Sequence, residues 1–306
     1  MAPRGGAAAE WPTWALVVVV YAGWAWLVLA HASIPWWVLL PLGGWFIAWH
    51  GSLQHEAVHL HPTRSERVNA LIASWPLAVY LPFASYRESH RAHHGSRELG
   101  HPVDDTESYY LLPADWDKRS RLERWARRFL QTVAGRMILG PVVTIASVLR
   151  GEFSRLIFRR DPRHLRVWAV HLVQVVVVLA FVTEVAGMSV IEYLVFFVFP
   201  GVSLSLLRSF LEHRPSPTPE GRTAIVESGG PLSLLFLHNN LHVVHHAEPA
   251  LPWYQLPARY RAERAAWNRR AAGHSFRGYG EVVQRYFLRE KDSPIYPVAS
   301  PLRGPR

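Results

Sequence analysis

The chain has 306 residues, no cysteine and a formal net charge of +10, with half its residues hydrophobic, so it has room for one or two domains. Without cysteine there are no disulfides, iron–sulfur clusters or thiolate metal sites, and any metal must be held by imidazole or oxygen; imidazole suits iron, zinc, copper or nickel. The apolar residues are gathered in blocks and the basic ones, all Arg except Lys118 and Lys291, fall between and after them, which indicates a membrane protein facing anionic headgroups and excludes a nucleic-acid binder.

Residues 1–12 read as a cytoplasmic N-terminal segment with no cleavable signal peptide. Residues 14–30 form the first apolar block, uncharged and just long enough for a hydrocarbon core of ~30 Å at ~1.5 Å per residue. A short turn, 31–35, leads to a second block, 36–49, which is expected to continue helically into a histidine cluster. Residues 69–85, with Pro76 and Pro82, and 129–149, with Gly135, Arg136, Gly140 and Pro141, read as interfacial or re-entrant helices. Between them, the arginine-rich stretch 118–128 reads as an amphipathic helix at the headgroups. Residues 167–186 and 190–211 form a second pair of spans joined near Gly187. Trp11, Trp14, Trp36 and Trp37 sit at block ends, where aromatic belts form. Residues 13–291 read as one domain and 292–306 as a loose tail.

Charge sets the topology. The turns 31–35 and 187–189 contain no Lys or Arg, whereas 61–166 contains eighteen and 212–306 thirteen. Two hairpins entering from one side put both termini and both arginine-rich regions in the cytoplasm. The expected fold is an all-α membrane protein: four transmembrane helices in two hairpins beneath a cytoplasmic helical cap.

Three histidine clusters lie on that cytoplasmic side: His55-Glu-Ala-Val-His59, His90-Arg-Ala-His93-His94 and His242-Val-Val-His245-His246. His55 and His59, four apart, share a helix face and can hold one ion. By itself this is the H-E-x-x-H pattern of zinc proteases, with Glu56 as general base. The second and third clusters share H-x-x-H-H. In each, the residues at i and i+3 are expected to face one way and the adjacent histidine to point ~100° away, at ~3.6 residues per turn. Each cluster can then serve two ions.

The order H-x-x-x-H, H-x-x-H-H, H-x-x-H-H resembles the membrane-bound fatty acid desaturase and hydroxylase superfamily over most of the chain. The stretches Tyr86–His94, Asp105–Tyr110, Asn239–His246 and Pro252–Pro257 are similar to bacterial acyl desaturases. The resemblance implies an integral protein of the bacterial inner membrane with two non-haem irons held by His55, His59, His90, His93, His94, His242, His245 and His246. It implies O₂ as co-substrate and desaturation of a long acyl chain or lipid. It also implies a ninth ligand, His213, near the cytoplasmic end of the fourth helix. At Ser209 the family pattern carries an Asn that contacts metal through water. No nucleotide loop and no fused haem or ferredoxin module is visible, so a separate ferredoxin, cytochrome or rubredoxin must deliver electrons.

Behind the ligands, His50, His238, Asn239, Asn240 and the carboxylates Glu56, Asp104, Asp105 and Glu212 are expected to orient imidazoles. His50 could alternatively join a shifted first cluster. His31, His61, His101, His164 and His274 read as surface residues. Three other readings stand beside desaturation. One is a hydroxylase or ketolase of the same superfamily, acting on acyl groups, alkanes or carotenoids. The others are an intramembrane zinc protease using His55, Glu56 and His59, and a non-catalytic metal carrier.

Overall fold

The computed structural model describes residues 10–96 and 98–297, and the chain is mostly helical. Among the described residues, three helices are long and apolar enough to cross a membrane: Trp11–Leu29, Pro162–Val185 and Val190–Glu212. The block expected at 36–49 belongs to a 23-residue helix, Trp36–Val58, which runs on through His55. Proline at the first or second helical position, where its missing N–H costs nothing, starts Trp11–Leu29 and Pro162–Ala180.

Trp36–Val58 packs along both Trp11–Leu29 and the fourth long helix, Val190–Glu212. The crossing with the fourth depends on missing side chains. A Cβ on Gly44 would lie 2.8 Å from the Cβ of Pro200, and one on Gly201 only 2.4 Å from the Cβ of Ile47. Lipid offers no hydrophobic drive between helices, so close backbone approach at small residues is what holds such pairs. Trp24, Leu27, Leu39, Ile47, Val182, Tyr193 and Phe197 fill one core shared by all four helices. Inside it the Trp24 indole donates to the Tyr193 hydroxyl (3.0 Å), and Tyr193 donates to the carbonyl of Leu77 (2.7 Å). That bond seats the 74–82 loop against the helices. The outward faces keep Val18, Trp26, Val173, Val176 and Ile191 exposed, an apolar girdle of the kind that lipid covers.

The stretches 69–85 and 129–149 are each broken into short helices and turns. Glu66–Ala73 has 8 residues, Val133–Ile138 has 6 and Gly140–Ser154 has 15, all short of the ~20 that a span needs. The helical chain is interrupted by a two-residue parallel pairing of Ile225–Val226 with Ser275–Phe276 and by isolated bridges at Leu111–Ile295 and His213–Thr223. The strand pairing anchors the segments flanking the third histidine cluster around Ile225, Leu241, Val244, Leu256 and Trp267.

Several expectations need correction. The tail is tied down as far as Tyr296, which is buried, its N–H donating to Leu111 (2.8 Å) and its hydroxyl to Glu98 (2.8 Å). Residues 298–306, and residues 1–9 of the N-terminal segment, lie outside the described residues. His61, His164 and His274 are buried, not on the surface. His61 pairs with Glu10 at 2.8 Å, and His164 lies 3.2 Å from Glu152, so carboxylates compensate their burial.

Gly201→Ala should force the two helices apart. Overpacking of this kind costs about 1–3 kcal/mol, and thermal denaturation in detergent should show a lower midpoint than wild type; an unchanged midpoint would mean the close approach carries no stability.

Candidate metal centre

The first two histidine clusters and His213 sit at the C-terminal ends of helices. His55 and His59 close Trp36–Val58, His90–His94 close Phe83–His94, and His213 follows directly on Glu212. The third cluster lies on the short helix His242–Ala247. Helix C-termini carry partial negative charge, which favours a cation in their midst.

The nine histidines form two groups. His55, His59, His90, His94 and His245 make one; His93, His213, His242 and His246 make the other. Within each group the ligand nitrogens lie within 4.8 Å of one another. The adjacent histidines are divided between them: His93 goes to one group and His94 to the other, and likewise His246 and His245. The partners at i and i+4, not i and i+3, share a group. On a helix of ~3.6 residues per turn, i+4 is offset by ~40° and i+3 by ~60° in the opposite sense, so the closer pair stays together. The two groups touch where His94 and His246 stack, with centroids 4.3 Å apart.

Side chains behind the rings fix which nitrogen faces inward. His93 Nδ1 donates to Asp105 at 2.6 Å, His90 Nδ1 to Glu107 at 2.9 Å and His242 Nδ1 to Asn239 at 3.0 Å. A proton held at Nδ1 leaves Nε2 with a bare lone pair. Those lone pairs converge: His90 Nε2 is 3.1 Å from His59 Nε2, His242 Nε2 is 2.9 Å from His213 Nε2, and His245 Nε2 is 3.1 Å from His94 Nε2. The Nε2 atoms of His55 and His246 are buried with no hydrogen-bond partner. Buried nitrogens that face one another without partners are satisfied by a cation, and this all-nitrogen set fits a borderline transition metal, not Mg²⁺ or Ca²⁺.

Electrostatics favour the neutral, ligating form. Burial, with repulsion from His90 and His93, holds the His94 pKa down to about 3; burial with repulsion from His93 does the same for His213. His93 differs. Burial opposes its charge, but the bond to Asp105 outweighs that, so His93 is raised and Asp105 lowered. An ion captured there displaces a proton.

The remaining expected residues are placed as follows. Glu56 lies 3.5 Å from His55 Nδ1 and accepts the backbone N–H of Trp253 (3.1 Å). Glu212 lies 3.6 Å from His242 Nδ1 and accepts from Asn239 (3.0 Å). Asn240 donates to the Val226 carbonyl and pins the cluster to the strand pair. The other four contact no ligand in the hydrogen bonds and ring contacts of the structure. His50 joins neither group and faces the Tyr21 hydroxyl at 3.2 Å. Asp104 turns outward to His101 (3.1 Å), Ser209 donates to the Leu206 carbonyl, and His238 stacks on Trp253. Sequence reasoning missed Glu107 behind His90 and Tyr86 stacked on the same ring at 5.5 Å. Tyr86 stands four residues before His90, a helical spacing that could have flagged it.

The zinc protease arrangement uses three of these residues and leaves seven clustered histidines without a role. Its base, Glu56, is buried and holds a backbone N–H. Residues 32–278 match the family model described as Fatty acid desaturase. No curated protein matches the chain.

Asp105→Asn should weaken one ion of the pair by about 10–100-fold, the usual effect of losing such a partner. Metal analysis after dialysis against a weak chelator should show the content falling towards one ion per chain in an inserted protein; an unchanged content would remove His93 from the ligand set.

Proposed function

The chain belongs to the fatty acid desaturase family, and from that premise we propose that it is a di-iron oxidoreductase that introduces a double bond into a long-chain fatty acyl group. The observation that carries this reading is the convergence of nine imidazoles into two adjoining groups. The proposed iron ligands are His55, His59, His90, His94 and His245 on one side and His93, His213, His242 and His246 on the other. Asp105, Glu107, Asn239 and Glu212 orient them, and Glu56 supports His55.

With iron bound there, O₂ is reduced to two waters while two hydrogens leave neighbouring methylenes and two electrons and two protons arrive from outside. The protein's part is to keep the imidazoles neutral and fixed, to exclude water, and to hold one stretch of the chain against the ions. The electrons come from a separate ferredoxin, cytochrome or rubredoxin.

We place the protein in the bacterial inner membrane. Trp36–Val58 serves as a fourth span beside the three apolar helices, and the arginine-rich segments and histidine groups lie on the cytoplasmic side. The absence of Lys and Arg from the turns at 31–35 and 187–189 supports that orientation. Hydroxylation or ketone formation by the same ligand set is the neighbouring chemistry, and the products distinguish it.

Lipid mass spectrometry of a host expressing the protein should show acyl chains lighter by two hydrogens, absent with His94→Ala. A gain of one oxygen would replace desaturation by hydroxylation, and identical lipids with the wild type and His94→Ala would refute the oxidoreductase reading.

A further inference from the structure

We propose that the substrate carries a hydrogen-bond-accepting oxygen close to the carbon that is oxidised, and that Arg208, Tyr80 and Tyr86 bind this oxygen in a cavity beneath the histidine groups; the proposal rests on the oxidoreductase reading above. The cavity has a volume of ≈ 140 Å³, and its walls include Ser52, Tyr80, Tyr86, Arg208 and Phe236.

Two of these walls back onto ligands, one in each histidine group. Tyr86 stacks on His90 at 5.5 Å. Arg208 Nε lies 2.9 Å from Glu212, whose carboxylate is 3.6 Å from His242. An occupant between Tyr86 and Arg208 is therefore next to the ligands of both ions.

The chemistry of the walls identifies the occupant. Ser52 donates to the carbonyls of Ala48 and Leu235, and Gln54 donates to Ala73. The Tyr80 hydroxyl has no hydrogen-bond partner among the described residues. Arg208 has five N–H donors, and the Glu212 carboxylate at 2.9 Å and the neighbouring Tyr86 hydroxyl take up only part of them. No carboxylate lines the cavity among the described residues. The cavity thus presents donors to whatever fills it. A plain methylene run would strip water from a phenol and a guanidinium and return nothing, which is costly in a buried site. A carboxylate or an acyl carbonyl would accept from both. The nearness of this subsite to His90 and Glu212 puts the oxidised carbon within a few bonds of that oxygen.

The test uses the as-purified protein in phosphatidylcholine nanodiscs under argon, so that binding is read without turnover. Hexadecanoic acid, methyl hexadecanoate and hexadecane are titrated by thermal shift against wild type, Tyr80→Phe and Arg208→Lys. The acid should bind at least tenfold more tightly than hexadecane. Tyr80→Phe, which removes one unpartnered hydroxyl, should weaken it about tenfold, equivalent to about 1.4 kcal/mol, and leave hexadecane unchanged. Arg208→Lys keeps the charge beside Glu212 but loses the fork, and should weaken the acid as well. An ester that follows the acid identifies the carbonyl as the recognised group; binding of the acid alone identifies the carboxylate. Hexadecane binding as tightly as the acid, or oxygenated ligands indifferent to both substitutions, would overturn the proposal. Binding is measured apart from iron content and products, so its failure leaves the oxidoreductase reading standing, and the reverse also holds.

Discussion

The structure depends on one constraint: nine imidazoles are packed around two small volumes with their nitrogens pointing inward. Neutral imidazoles with converging lone pairs repel, and protonating them in a buried site is costly, so only a cation relieves the arrangement. Asp105, Glu107 and Asn239 each hold an Nδ1 proton and turn an Nε2 towards the centre. Three of the helices that bring ligands end at the site, adding the partial negative charge of their carbonyl ends.

Two long helices position that centre. Trp36–Val58 and Val190–Glu212 approach closely at Gly43, Gly44 and Gly201. His55 lies eleven residues beyond Gly44 and His213 twelve beyond Gly201, about 16–18 Å along each axis at ~1.5 Å per residue. A tight crossing low in the bundle therefore delivers two ligands to one level. The Trp24–Tyr193–Leu77 chain fixes the loop that leads into the second cluster from the same bundle.

Much of this was legible in the sequence, because the signals are local. Apolar blocks give the long helices, and i, i+4 histidines at the end of a helical block give a shared face. The split of each adjacent pair follows from the sequence, but His90 pairs with His94 and His242 with His246, not with the i+3 histidine, because helical offsets of ~40° and ~60° are close enough that packing has to decide. Glu107 lay unnoticed two residues beyond Asp105, since an exposed-looking loop gives no sign that it folds back onto His90. The burial of His61 and His164 depends on Glu10 and Glu152. Glu10 lies far away in sequence, where no periodicity could reveal it. Tyr296 is a similar case, held by Leu111 and Glu98.

The central claim is that the two histidine groups hold a pair of irons. Elemental analysis of the purified, membrane-extracted protein tests it most directly. The account predicts about two irons per chain and little zinc, falling towards one iron in a variant where His94 and His245, both in the same group, are replaced. A single zinc per chain, unaffected by those replacements, would contradict it.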